Sequence, residues 1–127
     1  MDYQIKNIII VCLIALTYWI SITIYRINKG SDIESLRRDI FKDCNGWCVS
    51  HIIQYMVMGF IASKYWYISV LIGVGFEFVE MLIENHIEHV DSNLIKDSVI
   101  NSLGVLIGIC LQQVFKVKID LSKLLFY

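Results

Sequence analysis

Three carboxylates stand in a stretch that is otherwise apolar. Residues 76–84 read FEFVEMLIE, and Glu77, Glu80 and Glu84 are the polar members. They fall at i, i+3 and i+7, so a helix puts them on one face. A polar loop, NHIEHVDSNLIK, follows, and then a second apolar run, DSVINSLGVLIG. In that run Asp97, Asn101, Gly104 and Gly108 lie at i, i+4, i+7 and i+11, again one face. Acids in a hydrophobic segment are expensive and tend to be kept for function. A short loop between two helices makes them antiparallel neighbours, so the two polar faces are predicted to meet inside a bundle.

The rest of the chain sets the solvent. Residues 7–25 are almost wholly apolar, and about 20 such residues span a bilayer as a helix. The run is too long for the apolar core of a secretory signal, and no small-residue cleavage site follows it, so it is predicted to be retained. The chain is 57% hydrophobic with a mean hydropathy of +0.61, beyond an ordinary soluble domain of 127 residues. The expected fold is all-α: a single domain over 1–127, an integral, multi-pass membrane bundle of four transmembrane helices at about 7–26, 47–63, 65–84 and 97–115. Tyr18, Trp19 and Tyr25 are placed as interface anchors near the end of the first. Between the first two spans, Ile33, Leu36, Ile40 and Phe41 repeat at i, i+3, i+7 and i+8, with Arg37, Arg38 and Lys42 beside them. That pattern predicts an amphipathic interfacial helix over about 32–43, whose Arg37 and Arg38 can hold lipid phosphate.

Four spans bring the loops at 27–45 and 85–96 to one side of the membrane. His51, one turn into the second helix, then shares that boundary with Glu80, Glu84, Asp97 and Asn101, while Glu77 lies deepest, roughly 10 Å from Glu84 along the axis. Oxygen ligands from Glu80, Glu84, Asp91 and Asp97, with the Asn101 carbonyl, suit Ca²⁺ or Mg²⁺. Such an ion would polarise a lipid phosphate toward attack, with His51 as general base or nucleophile and Glu77 as a deeper ligand or proton acceptor. The alternative is a non-catalytic structural or interaction protein, whose acids and Asn101 are hydrogen-bonding glue between helices.

Other signals are weaker. Cys44 and Cys48, four apart beside a loop, suit either a disulfide or half of a metal site, with no second cysteine pair to complete a zinc site. Cys12 and Cys110 lie in apolar runs and read as small packing residues. Gly104-x-x-x-Gly108 permits close helix approach, within the bundle or as a homo-oligomer contact, and Gly73 and Gly75 offer the same on the third helix. The HIEH run at 86–89 lacks the HExxH spacing and reads as a solvated loop. A net charge of −1 points to no nucleic-acid partner.

The constellation GWCVSHIIQYMVMGF, FEFVEMLIE and DSVINSLGVLIG resembles two families over about residues 37–108. One is the catalytic core of base-exchange phosphatidylserine synthases, which have a histidine opening a membrane helix, an aromatic-Glu-x-x-Glu motif and an Asp…Asn-x-x-Gly-x-x-x-Gly ending. These fall here on His51, on Phe76, Glu77 and Glu80, and on Asp97, Asn101, Gly104 and Gly108. The other is the VanZ-like family of small membrane proteins, with a basic residue, a histidine, Glu-x-x-Gln and the same ending. The synthases are much longer and carry tryptophan where Phe76 stands. The VanZ-like pattern has Gln at Glu80 and an arginine between the last two helices that is missing here. The first resemblance implies a phosphatidyl transferase, a Ca²⁺-dependent exchange of headgroup alcohols such as serine on a membrane phospholipid. The second implies a membrane role linked in some members to glycopeptide resistance.

Overall fold

The computed structural model describes residues 1–30, 38–42, 44–84 and 93–126. Helix α1 spans Tyr3–Lys29 and begins at Asp2, whose side chain accepts from the Gln4 amide. It ends at Gly30, in the left-handed conformation (φ 67°) that suits glycine. Strand β1 (Asp39–Phe41) pairs antiparallel with β2 (Cys44–Asn45), with Asp39 opposite Asn45 and Phe41 opposite Cys44. Helix α2 spans Gly46–Ile61, a 3₁₀ turn covers Ser63–Tyr65, and α3 spans Trp66–Glu84. Helix α4 (Leu94–Phe115) and a short α5 (Leu121–Leu125) complete the order.

The architecture is mostly helical, as the apolar runs predict. Three helical stretches, Tyr3–Lys29, Ser63–Glu84 and Leu94–Phe115, are long and apolar enough to cross a membrane, and Gly46–Ile61 is a shorter apolar helix. Their surfaces are inverted relative to a water-soluble domain. Leu13, Ile14, Leu71, Leu82 and Leu106 stand exposed, whereas Asn7, Arg26, Ser69, Glu77, Glu80 and Asn101 are buried. Large exposed apolar faces belong against lipid or protein rather than water.

One prediction is corrected here. Residues 39–41, inside the expected interfacial helix of 32–43, are an extended strand. A disulfide joins Cys44 to Cys48, which settles the choice left open for that pair. It ties β2 to the first turn of α2, and the chain just before it turns back along β2 instead of continuing as helix. Residues 32–37 and 43 of that expected helix, Arg37 among them, lie outside the described residues, as does the loop carrying His86, Glu88, His89 and Asp91.

Helices α2 and α4 touch through their backbones. A Cβ on Gly59 would collide with the Val105 carbonyl, one on Gly108 with the Met56 carbonyl, and one on Gly104 would lie 2.8 Å from the Ile52 carbonyl oxygen. The close helix approach expected at Gly104 and Gly108 is made inside the chain, against α2. Gly73 likewise faces Tyr55 and Asn101, while a Cβ on Gly75 would meet nothing within 4 Å. The apolar core, Ile8, Tyr55, Met58, Ala62 and Val105, occupies the half of the bundle nearer the 3₁₀ turn. Cys12 packs against this core, and Cys110 is exposed on α4.

The same end is closed by Asn7, which is fully buried. Its Nδ2 donates to the Ile61 carbonyl (3.0 Å) and the Ile119 carbonyl (2.7 Å), and its Oδ1 accepts from the Leu121 amide (2.9 Å). One amide thus satisfies orphan backbone groups at the end of α2 and the start of α5. Nothing in the spacing of the apolar runs announces it.

Candidate functional site

Three helices carry polar residues to one level of the bundle. His51 lies about 8 Å from the start of α2, Asn101 about 10 Å from the start of α4, and Glu77 about 10 Å from the end of α3, by the 1.5 Å rise per residue. Because α3 runs opposite to α2 and α4, these distances count from one end of the bundle, and the side chains meet. Asn101 Nδ2 donates to Glu77 Oε1 at 2.9 Å and, at longer range, to the Gly73 carbonyl at 3.4 Å. His51 Nδ1 lies 3.2 Å from Asn101 Oδ1 and 3.3 Å from Glu77 Oε1. Glu77 and Asn101 are 0% and 1% exposed, and the His51 side chain is 19% exposed.

This geometry sets the histidine tautomer. The Gly73 carbonyl and the Glu77 carboxylate both act as acceptors, which points the Asn101 NH₂ toward them. Asn101 Oδ1 is then left as an acceptor. With acceptors on both neighbours, His51 Nδ1 carries the hydrogen and donates it. In the neutral ring the lone pair is on Nε2, the nitrogen left for chemistry. A histidine oriented through Nδ1 by an acid is the arrangement that prepares imidazole for general-base or nucleophilic work.

Glu80 is buried one turn from Glu77 and is held from α1, where Trp19 Nε1 donates to Glu80 Oε1 at 2.9 Å. The Trp19 ring meets Phe76 edge-on, with centroids 5.5 Å apart, and Phe76 is tilted against the His51 ring at 6.2 Å. Trp19, placed from sequence as an interface anchor, is thus a partner of the acidic cluster, while Tyr18 and Tyr25 stand exposed. A buried acid needs a donor, and α1 has a single indole; that was the sequence signal available for finding the pair. Phe76 entered the sequence reading only through the motif.

Asp97 is half-buried and is occupied locally. Its Oδ2 accepts from the Asn93 amide (3.1 Å), while Asn93 Oδ1 accepts from the Lys96 amide (3.0 Å). This reciprocal pair satisfies donors at the start of α4 as a capping box does. Above the cluster the Arg26 guanidinium, also buried, lies 4.2 Å over the Trp47 ring. Arg38 is exposed beside β1.

The cation set expected from sequence falls only partly within the described residues. Asp91 lies outside the described residues, Glu80 Oε1 is bound to Trp19, and Asp97 Oδ2 caps α4. Among the described residues no three His, Cys, Asp or Glu side chains converge closely enough to hold a metal ion. Glu77 Oε2 is buried and has no hydrogen-bond partner among the described residues.

No family model, no curated protein and no solved structure matches this chain.

Proposed function

We propose that this is a multi-pass membrane protein in which α1 to α4 all span, and that the His51–Glu77–Asn101 cluster exchanges headgroup alcohols on a membrane phospholipid. The reading is supported above all by the orientation of His51, whose Nδ1 is engaged by Glu77 and Asn101 so that Nε2 presents its lone pair. In the proposed reaction Nε2 forms a bond to phosphorus and the bond from phosphorus to the resident headgroup oxygen breaks. That alcohol leaves with a proton delivered by Glu80. An incoming alcohol such as serine returns a proton to Glu80 and displaces the histidine, restoring the lipid. Glu77 balances the charge that the ring acquires, Asn101 holds both, and Arg38 draws the anionic phosphate toward the cluster.

The second reading, polar glue between helices, is favoured by Asn101 itself, which bridges α2, α3 and α4. One experiment separates them. Membranes containing the chain are offered labelled serine, choline and ethanolamine with and without Ca²⁺, alongside membranes containing His51→Ala. Incorporation lost in the variant supports exchange, and its dependence on Ca²⁺ reports whether a cation takes part. Failure to incorporate any of the three alcohols, or equal incorporation by the variant, refutes the exchange reading and leaves the glue.

A further inference from the structure

The cysteines divide the molecule in a way its charges do not. Lys6, Lys64, Lys116, Lys118 and Lys123 belong to the end that holds the 3₁₀ turn and α5. Arg26, Lys29, Arg37, Arg38, Lys42 and Lys96 belong to the other end by chain order. Five against six gives the positive-inside rule nothing to act on. Of the four cysteines, Cys12 and Cys110 lie within α1 and α4 and are free thiols. Cys44 and Cys48, at the entrance to α2, are joined.

That bond is built into the start of α2. Cys44 is 4% exposed. Asn45, next to it, caps α2 by accepting from the Cys48 amide at 3.0 Å. Trp47, between the two, carries the Arg26 guanidinium on its face. His51 follows Cys48 by three residues, on the next turn of the same helix. Structural disulfides form and persist in oxidising compartments and are rare where glutathione and thioredoxin keep thiols reduced. Two thiols at this position give up two protons and two electrons to a thiol-disulfide exchange partner of that compartment.

We infer that the chain inserts with the β1–β2 hairpin and the entrance to the His51 cluster on the oxidising side of its membrane, and with the 3₁₀ turn and the lysine-bearing α5 on the reducing side. The inference rests on the disulfide and its end of the bundle, and holds whether or not the cluster is catalytic. If the exchange reading also holds, the exchanged alcohol arrives from the oxidising side and the lipid comes from the leaflet facing it.

The test uses the full chain in bacterial spheroplasts, whose accessible face is the oxidising one. Cys12→Ala and Cys110→Ala remove the free thiols, and single reporters are added at exposed positions, Lys29→Cys at the hairpin end or Lys118→Cys at the other. A membrane-impermeant maleimide is applied before and after lysis. Lys29→Cys is expected to label in intact spheroplasts and Lys118→Cys only after lysis. The reverse pattern, or equal labelling of both reporters, overturns the assignment. A second readout needs no reporter. In the Cys12→Ala, Cys110→Ala chain, maleimide applied under denaturation is expected to add nothing before reduction and two adducts after it. Two adducts without reductant would show the pair as thiols and overturn the argument by itself.

Discussion

Replacing Asn101 with alanine tests the site at its centre. The substitution removes a bond to a buried carboxylate, a bond to an imidazole and a long contact to the Gly73 carbonyl. Hydrogen bonds to charged groups contribute about 1.5–3 kcal/mol, and neutral ones between membrane helices average about 0.6 kcal/mol. The 3.4 Å contact to Gly73 contributes little at that length. The expected destabilisation is about 3 kcal/mol, more than a hundredfold in the folding equilibrium. Ser102, one residue on, is the control: its hydroxyl bonds only the Ser98 carbonyl of its own helix, at 2.8 Å. Ser102→Ala is expected to cost under about 0.5 kcal/mol. Both are measured as unfolding free energies of the reconstituted chain in mixed micelles. A double-mutant cycle with Glu77→Gln is expected to return a coupling of about 1–2 kcal/mol. A loss in Asn101→Ala no larger than in Ser102→Ala, or no coupling to Glu77, would refute the claim that this amide holds the three helices together.

Three further outcomes follow from the packing and the caps. Gly108→Leu is expected to destabilise by about 3 kcal/mol or to prevent folding, because its Cβ meets the Met56 carbonyl, whereas Gly75→Ala stays within about 0.5 kcal/mol; thermal melts of the two variants compare them directly. Asn7→Leu is expected to release α5, seen as faster tryptic cleavage after Lys116 and Lys118 while the α2–α4 contact persists. The amide of Gln4 holds the Asp2 carboxyl below the ordinary aspartate range. The cap at the start of α1 is therefore fully present above the unfolded-state pKa and is lost as pH falls through the depressed value. Hydrogen exchange at Gln4, measured against its intrinsic rate across acidic pH, should show protection disappearing in that window.

The helices, and polar residues of α2, α3 and α4 drawn toward one end of the bundle, were legible because both follow from periodicity, although Glu77 was placed deeper than the His51 and Asn101 it meets. Apolar runs set the helix lengths, and the 3.6-residue repeat puts Asn101, Gly104 and Gly108 on one face and Glu77 with Glu80 on another. Chain order alone then brings His51 to the same end. What was missed has no period. Trp19 reaches Glu80 across 61 residues, and Asn7 reaches Ile119 across 112. Each is a single side chain whose donor answers an unpaired acceptor elsewhere, so no local pattern marks it. Asp97 carried a different ambiguity: an acid in the first turn of a helix suits a cation ligand and a cap equally by type, and the sequence did not show that its Oδ2 accepts from the Asn93 amide. At 39–41 an amphipathic pattern was read as helix, but such a stripe does not exclude an extended segment when a cross-link lies just beyond it.

Asn7 also sets an order of events during synthesis. Its side chain is made with the first helix, yet two of its three partners, Ile119 and Leu121, lie beyond the last long one. At about 5–20 residues per second, the ribosome needs roughly 6–22 s to add the intervening 112 residues. For that interval the amide lacks these two partners and has to be satisfied by groups outside the chain. The contacts of Asn7 are therefore complete only when the tail docks, so the packing of this end joins the earliest and latest parts of the polypeptide.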